Sequence, residues 1–188
     1  MNIESYFPVP VLHHNIDSQL ADKVESIIVP KIKELERNHE NTQFTDYFEN
    51  KINVHELLPE LIDEWVKAIS YFRSVTSINI DENQPLQYWT QDYKEGDTHP
   101  VHHHSTGGIS GVYWVRANDA AGDLRLHTTN PLSEYVKVTN NENPYFTLNT
   151  DIKTEKGKIV LFPSYLKHEV LKSNADAIRT TIAFNLLG

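Results

Sequence analysis

The residues most able to do chemistry in this chain are histidines at alternate positions. His102 and His104 stand one residue apart. Side chains of an extended segment alternate with a period of two, so these two rings face one way and His103 between them faces the other. Two same-face imidazoles are an incomplete metal site, and a third ligand has to come from elsewhere. The best-placed donor is His168, in Ile159-Val-Leu-Phe-Pro-Ser-Tyr-Leu-Lys-His168. There an apolar strand turns at Pro163-Ser164 and a new strand begins on the histidine. Three nitrogens on one face of an octahedron leave three positions open, the arrangement in which non-haem iron takes a bidentate cosubstrate and oxygen. The sequence contains no cysteine. That excludes disulfides, thiolate metal sites, thiol nucleophiles and cysteine-held iron-sulfur clusters, and leaves nitrogen and oxygen as the only metal donors.

Arg179 opens the run Arg179-Thr-Thr-Ile-Ala-Phe-Asn185. A guanidinium aimed into an apolar strand is costly without an anion, and a dicarboxylic acid would give its planar fork a bidentate partner. Thr181 shares the face of Arg179 and can add a hydroxyl to the same carboxylate. Taken singly, each residue has a plainer explanation: a surface histidine, or an arginine at a strand end paired to a surface acid. Their order and combination carry the chemical reading.

These residues need elements to position them. Phe7-Pro-Val-Pro-Val-Leu12 is apolar but broken by prolines and suits an edge strand or extended arm. Asp17 or Ser18 can cap a helix whose apolar positions Leu20, Val24, Ile27, Ile28, Ile32 and Leu35 recur at helical spacing, with Pro30 expected to kink or divide it. Leu58, Leu61, Ile62, Trp65, Ile69 and Phe72 predict a second helix, with Asn53 and Glu56 placed as a capping box and Pro59 near its start. Both stripes read as core-facing surfaces.

From about Pro85 the pattern changes to short runs of Tyr, Trp, Val, Ile and Thr between Gly, Pro, Asn and Asp clusters. The expected strands are Leu86–Tyr93, Ile109–Arg116, Asp123–His127, Glu134–Val138, Tyr145–Asn149, Lys158–Phe162, His168–Lys172 and Arg179–Leu186. Short strands at close, turn-punctuated spacing favour a sandwich, jelly roll or barrel over a parallel α/β sheet. A single domain over 1–188 is expected, with 1–84 a helical buttress and 85–188 the β core.

The segment from Leu86 to Asn185 resembles the 2-oxoglutarate and Fe(II)-dependent oxygenase superfamily. In particular it resembles a family of oxygenases found in bacteria and tailed phages. The resemblance lies in His102-x-His104, Ile109-Ser-Gly-Val-Tyr-Trp114, Leu161-Phe-Pro-Ser164, His168-x-Val170 and Arg179-x-Thr-Ile-Ala-Phe-Asn185. It implies a double-stranded β-helix, a cupin-like jelly-roll barrel buttressed by helices. It also implies Fe(II), 2-oxoglutarate as cosubstrate and O2, with His102, His104 and His168 as metal ligands. Arg179 then holds the distal carboxylate of 2-oxoglutarate, Thr181 is its companion, and Tyr93 corresponds to a tyrosine that reaches the cosubstrate in related prolyl-hydroxylase-like enzymes. Most of the superfamily has Asp or Glu where this chain has His104. Three neutral imidazoles leave the iron one unit more positive, which favours a dianionic cosubstrate. The implied reaction is oxidative decarboxylation of 2-oxoglutarate coupled to hydroxylation of a small-molecule or peptide substrate. Two rivals remain at this level: a cupin-like dioxygenase or isomerase without 2-oxoglutarate, for which Arg179 has no general use, and a non-catalytic metal-binding jelly-roll module.

The formal charge is −9, from 26 acidic and 17 basic residues, with no run of Lys or Arg. Repulsion from phosphate backbones and anionic lipids makes nucleic acid and membrane poor partners. No apolar stretch is long enough to span a bilayer, and Met1-Asn-Ile-Glu-Ser-Tyr-Phe lacks the basic-then-apolar order of a signal peptide. A cytoplasmic location is expected, in the host cytoplasm if a phage encodes the protein.

Overall fold

The computed structural model describes residues 8–36, 44–47, 51–80, 84–104, 108–130, 135–136 and 146–187. The N-terminal part runs β1 (Leu12–Asn15), α1 (Ser18–Glu36), β2 (Phe44–Thr45), α2 (Val54–Leu57) and α3 (Pro59–Thr76). Then follow β3 (Leu86–Tyr93), β4 (His99–His102), β5 (Gly108–Ala117), β6 (Leu124–His127), β7 (Asn149–Ile152), β8 (Lys158–Pro163), β9 (His168–Val170) and β10 (Arg179–Leu187).

Two antiparallel sheets face each other. The larger has the order β1-β8-β5-β10-β3-β2 and the smaller β4-β9-β6-β7. From β3 onward the chain passes back and forth between them, which is the winding of a double-stranded β-helix. The proline-broken N-terminal segment supplies β1, an edge strand on β8 with Leu12 opposite Leu161.

Alternation along the central strands divides the core in two. Tyr113 and Val115 of β5, Ile159 and Leu161 of β8, and Ile182 and Phe184 of β10 face outward and meet Val24, Ile28, Ile32, Leu61, Trp65 and Phe72 of α1 and α3. Trp65 stacks on Phe184 with ring centroids 4.5 Å apart. The opposite faces contribute Val112, Trp114, Val160 and Phe162 to a second cluster with Leu124, Leu126 and Ile152 of the smaller sheet. The helices therefore bury one face of the large sheet and the small sheet covers part of the other.

Asp17 caps α1 by accepting the Gln19 N–H at 2.9 Å. Asn53 caps α2, Pro59 takes the first turn of α3, and Ser77 ends α3 in the left-handed conformation. Pro30 does not divide α1, which continues to Glu36. It sits on the exposed face, so the Ser26 carbonyl it leaves unpaired can be hydrated while Val24, Ile28 and Ile32 stay aligned on the buried side.

Strand boundaries differ where the pattern is weakest. The run expected over Tyr145–Asn149 becomes β7 at Asn149–Ile152, because pairing with β6 sets its place, Asn149 lying opposite His127 and Ile152 opposite Leu124. A mostly exposed Asn-Thr-Asp-Ile segment gives no apolar alternation to read. Of the run expected over 134–138, Tyr135 and Val136 are described and lie outside any strand, and the rest falls outside the described residues. The pair His102 and His104 does not share a strand: β4 ends at His102, and His104 follows it off the sheet. Among the described residues, no helix is long and apolar enough to cross a membrane.

Candidate active site

A cavity between the sheets gathers every residue singled out for chemistry. Its lining includes His102, His104, His168, Arg179, Thr181 and Tyr93. The smaller sheet brings His102, at the end of β4, directly opposite His168, at the start of β9. One nitrogen from each of His102, His104 and His168 lies within 4.8 Å of the others. His103 is exposed while its two neighbours are half-buried, as alternation requires even beyond the strand end.

The rings are held in defined tautomers. His102 Nδ1 donates to the Pro100 carbonyl at 2.8 Å. His168 Nδ1 donates to the Leu166 carbonyl, also at 2.8 Å. Each bond fixes the proton on Nδ1 and leaves the Nε2 lone pair for a cation. The Asn185 side chain lies beside His104 in the same cavity. Burial pushes His168 down to about 3, and His104 is lowered by burial and by His102. Both are neutral lone-pair donors at physiological pH. Neutral, convergent imidazoles form a ready cation site.

Arg179, at the first position of β10, is 2% exposed. Its guanidinium lies over the Tyr93 ring, 4.7 Å from the centroid, and 5.9 Å from that of Trp114. It donates to the carbonyl of Gly122. Gly122 is required there, because a Cβ would stand 1.7 Å from the Leu171 carbonyl oxygen. No carboxylate among the described residues pairs with Arg179, and its Nε is buried without a partner. Burial pushes the guanidinium down to about 10. Among the described residues that line the cavity, no other is a lysine or arginine. A buried cation without a carboxylate partner, facing three imidazoles, suits an anion that also reaches a cation held by those rings. Tyr93 is tied through its hydroxyl to Gln91 Oε1 at 3.0 Å and serves as the platform under Arg179.

Sequence reasoning missed His99. Its ring stacks on His102 with centroids 4.3 Å apart, lines the same cavity and is pushed down to about 4 by burial. Strict alternation would put His99 and His102 on opposite faces. The register shifts between them, so β4 carries one residue more than β9 over this stretch and both rings point inward. No local signal announces that bulge. Trp89 also lines the cavity, whereas Tyr113 packs against the helices and Trp114 in the inter-sheet core.

Comparison with known proteins gives a family and a fold. The profile of the family described as 2OG-Fe(II) oxygenase matches residues 87–185. No curated protein matches in sequence. Among solved structures, the chain is similar to a Pseudomonas putida prolyl-4-hydroxylase with a TM-score of 0.63 at 13% identity, over 96% of this chain and 94% of that one. It is similar to HygX from Streptomyces hygroscopicus, with nickel and 2-oxoglutarate bound, with a TM-score of 0.60 at 13% identity, over 94% and 82%. A viral collagen prolyl hydroxylase from Paramecium Bursaria Chlorella virus-1, in complex with 2OG, gives 0.57 at 10% identity, over 94% and 96%.

Proposed function

The chain belongs to the 2OG-Fe(II) oxygenase family, and from that premise we propose that His102, His104 and His168 hold the iron while Arg179 anchors 2-oxoglutarate. The enzyme is an oxidoreductase that depends on iron and 2-oxoglutarate. The observation that carries the residue assignment is the buried Arg179 guanidinium, without a carboxylate partner, facing the cavity of the three histidines. It fits the group: the orphaned Nε is a donor awaiting an acceptor, and the imidazoles are oriented donors of lone pairs.

When bound, iron and 2-oxoglutarate supply the oxidising power, with oxygen consumed, 2-oxoglutarate converted to succinate and carbon dioxide, and a substrate C–H bond hydroxylated. The protein's own residues bind and orient. Arg179 would take the C5 carboxylate in a two-pronged contact, with Thr181 adding its hydroxyl from the same face. Tyr93 holds the guanidinium flat from beneath. Phe162 and Val112, both lining the cavity, keep water from its apolar side.

The substrate is a small molecule or a peptide. Two of the similar structures described above are prolyl hydroxylases, which supports this substrate class. The acidic balance of the chain supports a partner that is neither nucleic acid nor membrane; a cytoplasmic place of action, a phage-infected host's included, stays part of the proposal. The helical segment 1–84 and the β core 85–188 act as one domain, a reading supported by the core that α1 and α3 share with the large sheet.

The test is anaerobic titration of the Fe(II) protein with 2-oxoglutarate. Wild type should develop a visible charge-transfer band. Arg179→Lys keeps the charge and loses the fork, and Arg179→Met leaves a buried carboxylate unpaired, so affinity should fall in that order, by about 3–5 kcal/mol for the last. Wild type giving neither band nor calorimetric binding would sink the assignment.

A further inference from the structure

Backbone carbonyls fix two of the three histidines. The tethers of His102 and His168 run to carbonyls two residues upstream, and such bonds survive side-chain substitution. His104 lies in a cluster of polar contacts. Its backbone N–H donates to the Ser164 carbonyl at 2.9 Å. Ser110 Oγ lies 3.0 Å from Ser164 Oγ and donates to Asn185 Oδ1 at 2.8 Å. The Asn185 side chain lines the same cavity as the His104 ring and lies beside it. The cluster joins the end of β4, the turn after β8, the start of β5 and the end of β10. Asn185, Ser110 and Ser164 are 5%, 2% and 0% exposed, so water is poorly placed to replace a lost member.

We propose that Asn185 is the positioning residue of the metal site, its amide oxygen accepting the His104 ring N–H so that the other ring nitrogen faces the metal. This rests on the histidine assignment above. An amide oxygen has two lone pairs and can accept from Ser110 and His104 together. The choice of an amide over a carboxylate also has a consequence. A carboxylate would hold the ring equally well but add negative charge beside the site, whereas the amide leaves the full positive charge of a three-imidazole centre to attract a dianionic cosubstrate. Ser110 prevents the amide from turning away.

The test uses Co(II) as probe, by anaerobic calorimetry and visible absorption without 2-oxoglutarate, on wild type, Asn185→Leu, Asn185→Asp and Ser110→Ala. Asn185→Leu should bind Co(II) about 10- to 100-fold more weakly, with shifted d–d bands from a displaced ring. Asn185→Asp, which keeps an acceptor, should restore binding and spectrum while weakening subsequent 2-oxoglutarate uptake. Ser110→Ala should fall between, and it keeps the test open if the leucine variant does not fold. Co(II) affinity and bands of wild-type character in both Asn185→Leu and Ser110→Ala would overturn the proposal. Failure of wild type itself to take up Co(II) would overturn the histidine assignment, and this inference with it.

Discussion

The two sheets solve different problems. β5 and β8 of the large sheet are buried on both faces, by helices on one side and the small sheet on the other. The strands of the small sheet are short, and β6 and β9 alternate between buried and half-buried positions because their outer face meets solvent. That outer face carries an ion pair, Arg125 with Asp151, and a hydrogen bond between His127 and Glu169. The site is divided in the same way. Arg179, Thr181, Tyr93 and Asn185 stand on the doubly buried sheet, whereas His102 and His168 pair across the thin one. The proposed anion anchor therefore sits on a scaffold that its own packing holds, while the proposed cation ligands lie where added cross-links have most to contribute.

The sharpest way to break this contrast is at the histidines. His102→Ala, His104→Ala and His168→Ala should each lose iron by orders of magnitude, while His103→Ala keeps it, as metal analysis of the purified variants would show. A His103 variant that loses metal while the His102 variant retains it would refute the register. Next in size is Trp65→Ala. Fully buried and stacked on Phe184, it should cost about 3–5 kcal/mol in denaturant unfolding. Iron affinity in the folded fraction should stay unchanged, since Trp65 lies on the face away from the cavity.

Metal removal should sharpen the comparison further. On chelation, amide exchange should quicken in β4 and β9, which the histidines join, and change little in β5 and β10. Equal quickening in both sheets would mean that the small sheet does not depend on the metal. The smallest effect is expected at Arg125→Ala. Its bidentate pair with Asp151 is partly exposed, so thermal unfolding should report a loss below about 1 kcal/mol.

Much of this contrast can be read along the chain. The strands of the large sheet announce themselves as runs of aromatic, β-branched and apolar residues between turn signals: Leu86–Tyr93 appears with the predicted bounds, β8 and β10 differ from expectation by a residue at one end, and β5 by a residue at each end. Solvated strands such as β7 lack that signature and are placed by their partners. The same holds within the site. His102, His104, His168 and Arg179 were legible because residue type, spacing and motif order agree. His99 was not, because a bulge reverses the face that alternation assigns to it.

By itself the sequence determined the donor chemistry and, wherever no bulge intervenes, the faces of the strands, since cysteine-free composition and side-chain alternation are local properties. It also placed a cation at the head of β10 beside a run of apolar residues. Only the tertiary structure decided that this cation meets no carboxylate among the described residues, and that Ser110 ties Asn185 to Ser164 beside His104. Those relations join residues distant along the chain. They arise from which strands become neighbours and in what register, which no single strand encodes.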